Sequence, residues 1–279
     1  MKSFSFQATT ISQTRRQIVV RYQAHSAPTS LEDEVAVEEP LEIRIQGKPL
    51  LVTMRTPGHD KSLAAGYLWS EGVISKPEHI LDLEHCQQGS QLNENVLNVF
   101  LHPEIKLDED LMGRFSYAAS GCGLCGKSAV DAIRSKFPPI QTASSIRSSV
   151  ILQLFQSFNG KQHGFETTGG LHAAALFNAE GHLIDIKEDV GRHNAVDKVI
   201  GGRLLRGGLR LQDTILLVTS RASFEIVQKA LAAGIPTVAF ASAPSSLAIE
   251  FAQANGQTLI GFLREERFNA YTHTKRIVD

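Results

Sequence analysis

The sequence predicts an α/β protein of two lobes, a small N-terminal α+β domain followed by a larger α/β domain with a mixed sheet. Three observations predict it. The chain has 279 residues, more than one compact core ordinarily organises, so length alone favours about two domains. From Asp213 onward the pattern alternates strand, helix, strand, helix, strand, which builds parallel strands with helices packed on them. The regions before it read instead as hairpins, whose strands pair antiparallel.

Composition narrows the function. Apolar residues make up 42% and charged residues 20%, so most of the chain can bury a core. A net charge of -1 and a pI near 6.8 supply no global basic field. Neither nucleic acid nor a membrane is therefore an expected partner, and any anion site must be local. The N-terminus lacks the apolar stretch of a signal peptide, and no apolar run approaches the ~20 residues of a membrane span. A cytoplasmic location is the expectation. Three cysteines cannot form a disulfide framework in a chain this long and suit a reducing compartment.

The elements follow in order. An acidic stretch from Leu31 to Glu39 precedes Pro40, after which PLEIRIQGKPLLVTMRTP alternates, turns at Gln46-Gly47-Lys48 and returns as a second strand. His59 to Ser70 has helical spacing and is closed by Gly72. The apolar run in Leu92 to His102 completes a small sheet. Lys127 to Phe137 reads as a helix stopped by Pro138-Pro139, and Ile151 to Asn159 as another. LHAAALF and HLIDI form a hairpin around the turn Asn178 to Gly181. The β-α-β-α-β run then places its strand C-termini along one edge, where a ligand crevice is expected. Gly201-Gly202 and Gly207-Gly208 read as a flexible connection between helix and strand. The domains divide as 1–116 and 117–279.

The second domain opens with Gly121-Cys122-Gly123-Leu124-Cys125-Gly126. A thiolate is the nucleophile of sulfur chemistry, and a helix start with a neighbouring cation, here Lys127, pulls a cysteine pKa toward neutrality. The glycines remove bulk around the sulfur and free the backbone. Three other readings compete. C-x-x-C is half of a tetrahedral zinc set, but only Cys86 and scattered histidines could complete it, so no metal ligands are assigned. It is also a thioredoxin-like redox signature, though without this run of glycines. The third is inert packing.

Further polar groups gather in the larger domain. Lys187 to Lys198, KEDVGRHNAVDK, crowds acidic, basic, His and Asn residues around one helix start, which marks either a site or a solvated, capped helix. His172 follows a glycine-rich approach that is expected to bring it to the same place as Asp189, His193 and Asp197, although alone it reads as structural. Thr219-Ser220-Arg221-Ala222-Ser223, Ser242-Ala243-Pro244-Ser245-Ser246 and Arg264-Glu265-Glu266-Arg267 each begin where a parallel strand stops. Hydroxyls, helix starts and arginine forks suit phosphate or pyrophosphate, although each serine alone also reads as a helix cap. No G-x-G-x-x-G or G-x-x-x-x-G-K-[ST] is present, which excludes the common dinucleotide and P-loop motifs.

Taken together, TPGHDKSLAAGYLWSEGVI, SGCGLCGKS, TGGLHAAAL, EDVGRHNAVDKVIG, SRASFEIVQKALAAGIP, SAPSSLAIEFA and TLIGFLREERFNAYT resemble, in order and through most of the chain, the FdhD family. These are accessory sulfur carriers of formate dehydrogenase maturation. The resemblance implies that a cysteine desulfurase loads sulfur onto Cys122, with Cys125 as the second loop cysteine. The protein then passes that sulfur to the molybdenum cofactor, Mo-bis(molybdopterin guanine dinucleotide), before its insertion into formate dehydrogenase. It implies a cofactor-binding segment at Phe262, Leu263, Arg264, Glu265, Glu266 and Arg267. Ser220, Arg221, Ser242 and His193 join it on the strand-edge reading, and a guanine nucleotide is the expected mimic. It also implies a homodimer and a cytidine-deaminase-like larger domain. The deaminase signature H-x-E with P-C-x-x-C is absent, so deamination is not expected. One departure is Thr219-Ser220-Arg221, where the family pattern has Ser-Gly-Arg.

Overall fold

A computed structural model describes residues 12–88, 91–106, 137–141, 144–207 and 211–279. Cys122, Cys125, the boundary between residues 116 and 117, and all but the last residue of the helix expected over Lys127 to Phe137 lie outside the described residues.

Strands β1 (Thr14–Arg21) and β2 (Thr29–Ala36) pair antiparallel as a two-stranded ribbon. Sequence reading finds neither, because their apolar residues face solvent on so many positions that no inward face is legible: Ile18 is 71% and Val20 53% exposed. The expected hairpin follows as β3 (Glu39–Ile45) and β4 (Lys48–Arg55). Gln46 and Gly47 turn it with φ of 50° and 83°, a conformation that glycine adopts without strain. Helix α1 (Asp60–Ser70) ends on left-handed Gly72 (φ 63°), and Val73 N–H reaches back to the Leu68 carbonyl at 2.9 Å.

Strands β5 (Ile80–Gln88) and β6 (Gln91–Leu101) complete a four-stranded sheet in the order β4-β3-β6-β5, with β3 and β6 parallel. Strand β5 goes unread in the sequence because its pattern is weak, with Leu83 facing inward and Leu81 half exposed. Leu41, Ile43, Ile45, Leu97 and Val99 bury one face of this sheet against Leu63, Ala64 and Leu68 of α1.

Past β7 (Ile146–Arg147), α2 (Ser148–Phe158) and the short α3 (His163–Thr168), a six-stranded mixed sheet is built from β8 (His172–Asn178), β9 (Leu183–Asp189), β10 (Thr214–Val218), β11 (Thr237–Phe240), β12 (Thr258–Gly261) and β13 (Asn269–Ala270). Its order is β13-β12-β11-β10-β8-β9, and β10, β11 and β12 run parallel. The crossovers are α5 (Phe224–Ala232) and α6 (Ser246–Ala254), as the β-α-β-α-β pattern predicts. A last strand, β14 (Ile277–Val278), pairs with β7. Alternation along β10 sends Leu216 and Val218 to one core, with Phe224, Val227 and Phe251. Ile215 and Leu217 go to the other, with Ile151, Leu154 and Phe158 of α2. Both faces of the sheet are thereby covered, which explains the continuous apolar runs.

Helix α4 (Arg192–Leu205) joins the two sheets by crossing α1. Gly201 and Gly202, expected in a loose connection, lie inside this helix. A Cβ on Gly201 would stand 1.9 Å from the Ser62 carbonyl oxygen, so the glycines permit close helix contact and do not loosen the chain. The Trp69 indole N–H donates to the Ala232 carbonyl at 2.8 Å, tying α1 to the end of α5.

Candidate functional site: the strand-end edge

Parallel strands β10, β11 and β12 all stop at one side of the sheet, and antiparallel β8 begins there. The join is made by hydrogen bonds. Thr219 N–H donates to the Ala173 carbonyl, and Ala173 N–H to Thr219 Oγ1, both at 3.0 Å. The turns after β10 and β11 are zipped together, with Ala222 N–H on Ala243 O at 3.1 Å and Ser245 N–H on Ala222 O at 3.0 Å. Phe262 N–H donates to Ser242 O at 3.2 Å, and Leu263 N–H to Phe240 O at 3.0 Å. Residues 219–221, 242 and 262–264 thus share one rim.

Phe262 is 42% exposed and sits at a φ of 53°, an unfavourable region for an aromatic residue. Such an outlier persists only where its surroundings hold it. The holding group is Arg264, whose Nη1 donates to the Ala241 and Leu263 carbonyls and whose N–H donates to Arg267 O at 2.8 Å. Its guanidinium also lies 5.9 Å from the Phe155 ring centre, within cation–π range. Leu263 is buried in the core behind it. Glu265 accepts from Asn159 Nδ2 at 3.3 Å, while Glu266 and Arg267 point into solvent with Arg221. Ser220 is buried, and its hydroxyl donates to Arg221 O at 3.0 Å. Its φ is not positive, so a serine is accommodated where the family pattern has glycine. Ser242 is half-buried.

At the other end of the rim, His193 stands in the first turn of α4 and Glu225 in the first turn of α5, with Nε2 and Oε2 2.8 Å apart. The His193 imidazole beside it holds the Glu225 carboxyl below its ordinary pKa against the opposing effect of burial. His172 opens β8, paired in register with Asp189. Burial, then the charges of Arg192 and His193, push its pKa down.

The remaining members of the crowded segment serve packing. Asp189 is fully buried and accepts from Lys198 Nζ at 2.6 Å, Thr56 N–H at 3.2 Å, Gly191 N–H at 2.8 Å and Asn194 Nδ2 at 3.0 Å. Asp197 takes Lys229 Nζ at 2.8 Å and the Ser70 hydroxyl at 2.9 Å. Both carboxylates tie α4 to neighbouring elements. A matching buried pair in the N-terminal sheet, Arg55 and Asp60 at 3.0 Å, is invisible in the sequence because nothing local marks either residue as buried. Glu225 is likewise unreadable in advance, since only the side-by-side starts of α4 and α5 bring it to the rim.

Among the described residues no three His, Cys, Asp or Glu side chains converge as a metal site. No helix among them is long and apolar enough to cross a membrane.

Fold and rim together define a mixed α/β protein whose polar site lies outside the carboxyl ends of parallel strands, where open α/β sheets bind their ligands. The chain belongs to the FdhD/NarQ family, whose model matches residues 36–278. It is 46% identical over 275 residues to the sulfur carrier protein FdhD of Streptomyces avermitilis, covering 95% of each chain. It is 43% identical over 266 residues to the protein of the same name from Mycobacterium tuberculosis, covering 92% of this chain and 96% of that one. Among solved structures, one described as a formate dehydrogenase accessory protein from Desulfotalea psychrophila superposes with a TM-score of 0.76 over 96% of this chain and 100% of its own, at 24% identity. That likeness establishes the fold.

Proposed function

We propose that this protein is a sulfurtransferase that carries persulfide sulfur from a cysteine desulfurase to the molybdenum cofactor, Mo-bis(molybdopterin guanine dinucleotide), for formate dehydrogenase. The observation that carries the reading is SGCGLCGKS, residues 120–128, in a chain 46% identical to a protein named a sulfur carrier. In the loading step the Cys122 thiolate attacks the outer sulfur of the desulfurase persulfide. The new S–S bond forms on Cys122, the old one breaks, and its electron pair leaves with the desulfurase thiolate, which takes the proton. Cys125 is the second thiol of the loop. The strand-end rim supplies the cofactor side: Phe262 offers an exposed aromatic face for a planar ring, and Arg267 and Arg221 offer unshielded cations for its phosphates. The carrier acts in the cytoplasm as a homodimer.

The test is intact-mass measurement after incubation with a cysteine desulfurase and cysteine. One reducible added sulfur, about 32 Da, is expected on the wild type and not on Cys122→Ala. If neither form gains sulfur, carriage is refuted and a cofactor-binding chaperone takes its place. If the gain persists in Cys122→Ala, the nucleophile is another thiol.

A further inference from the structure

Next to His193, already counted on the rim, stand polar groups that the cofactor residues named so far do not include. His193 and Glu225 meet at 2.8 Å across the starts of α4 and α5. Arg192 Nε, His193 Nε2 and Ser223 Oγ are all buried and have no hydrogen-bond partner among the described residues, the approach of His193 to Glu225 being misaligned for one. Buried polar atoms without partners are rare and destabilising, and each calls for an explanation. Ser223 stands at the N-cap of α5, yet its side chain accepts nothing from the helix. Ser245, at the same position of α6, accepts from Ala248 N–H at 3.2 Å. The Ser223 hydroxyl is thus free of the task its position normally gives it.

The neighbouring charges are already committed. Asp189 is bound by Lys198, Lys229 by Asp197, and Glu225 by His193. The pKa of His172 on β8 is lowered by burial and then by the nearby Arg192 and His193. Arg192 makes no side-chain ion pair among the described residues, although its charge acts on Glu225. Guanidinium, hydroxyl and imidazole N–H are together the donors that an oxyanion takes.

We propose that Arg192, His193 and Ser223 form an oxyanion subsite of the rim that takes a phosphate-type group. The subsite deepens the cofactor reading above, since a dinucleotide presents phosphates.

Calorimetric titration with two probes, inorganic pyrophosphate and GDP, tests it. Arg192→Gln is expected to weaken both by about tenfold or more, and Ser223→Ala by about fivefold, the scale of a charged and a neutral hydrogen bond. Ser223→Ala, which removes only a hydroxyl, carries the test should Arg192→Gln fail to fold. Wild-type affinity in both Arg192→Gln and Ser223→Ala overturns the subsite, and so does a wild-type protein that binds neither probe. Probe binding that these variants weaken, in a protein that gains no persulfide sulfur, upholds the subsite and sinks the carrier reading instead.

Discussion

Gly66 of α1 lies so close to Asp197 of α4 that a Cβ on Gly66 would stand 1.9 Å from the Asp197 carbonyl oxygen and 2.6 Å from its carbon. Together with Gly201 against Ser62, this contact sets the spacing of the two helices that join the small sheet to the large one. Neither neighbour can yield, because both are helix backbone.

Gly66→Ala should therefore destabilise the protein by about 3 kcal/mol, the upper end of overpacking costs. Gly202→Ala is the matched control. Its nearest neighbours are side-chain atoms at 3.4 Å and beyond, and the helix-propensity gain of about 1 kcal/mol should leave it neutral or slightly stabilised. Urea unfolding of the pair checks this, and equal midpoints would refute the close-contact account.

Lys198 and Asp189 are both fully buried, 2.6 Å apart. Burial pulls the Lys198 ammonium below its ordinary pKa, with Asp189 opposing that pull. Lys198→Met strands the carboxylate and is expected to cost about 3 kcal/mol, the low end for a broken buried pair because three other donors remain on Asp189. Combining it with Asp189→Asn should recover part of that loss in denaturant titrations.

Acid lability follows from three histidines. Burial lowers the pKa of His85 and His172, and it holds His59 at about 4 with help from Lys187 and Lys198, although the His59 ring still reaches solvent. In the unfolded chain each titrates near its reference value of about 6.5. Between these values the unfolded state binds more protons, so the stabilisation is complete above about pH 6.5 and is lost as pH falls toward 4. Melting temperatures measured across that window should fall steadily. His59→Gln combined with His172→Gln should flatten the slope.

Arg264 and Arg267 should separate. Arg264 bonds the carbonyls that hold the rim, so Arg264→Ala is expected to lower both the melting temperature and GDP affinity. Arg267 points to solvent, and Arg267→Ala should lower affinity alone, by about 1.5 to 3 kcal/mol for a lost charge-assisted bond. Identical behaviour of the two variants in melting and titration would refute this division.

Phe262 carries a backbone penalty of about 1 kcal/mol in the left-handed region. Phe262→Gly should keep stability within about 1 kcal/mol, since relieved strain offsets lost contact, while GDP affinity falls. A variant that melts far lower and binds normally would mark Phe262 as a packing residue.

Much of this architecture is legible in the chain itself. Strands β10 to β12 and their helices announce themselves because both sheet faces are buried, which leaves continuous apolar runs between clear helical periods. The β3–β4 and β8–β9 hairpins show through their turns, and the rim segments at 219–221, 242 and 262–267 follow from where parallel strands must end. The β1–β2 ribbon and β5 escape because a strand with little buried surface has no apolar alternation to read.

Charge is where sequence reasoning stops. The segment from Lys187 to Lys198 identifies a polar concentration but cannot divide it. Burial and neighbours from β4, α1 and α5 make Asp189 and Asp197 packing groups and leave Arg192 and His193 on the rim. Arg264 reads as an anion ligand beside Arg267 until the carbonyls of Ala241 and Leu263 are found around it. Local pattern determines which elements form and where their ends fall, because periodicity and turn chemistry act between near neighbours. Only tertiary structure decides which charges are consumed in holding elements together and which remain for a ligand, because a charge's partners come from segments far away in the chain.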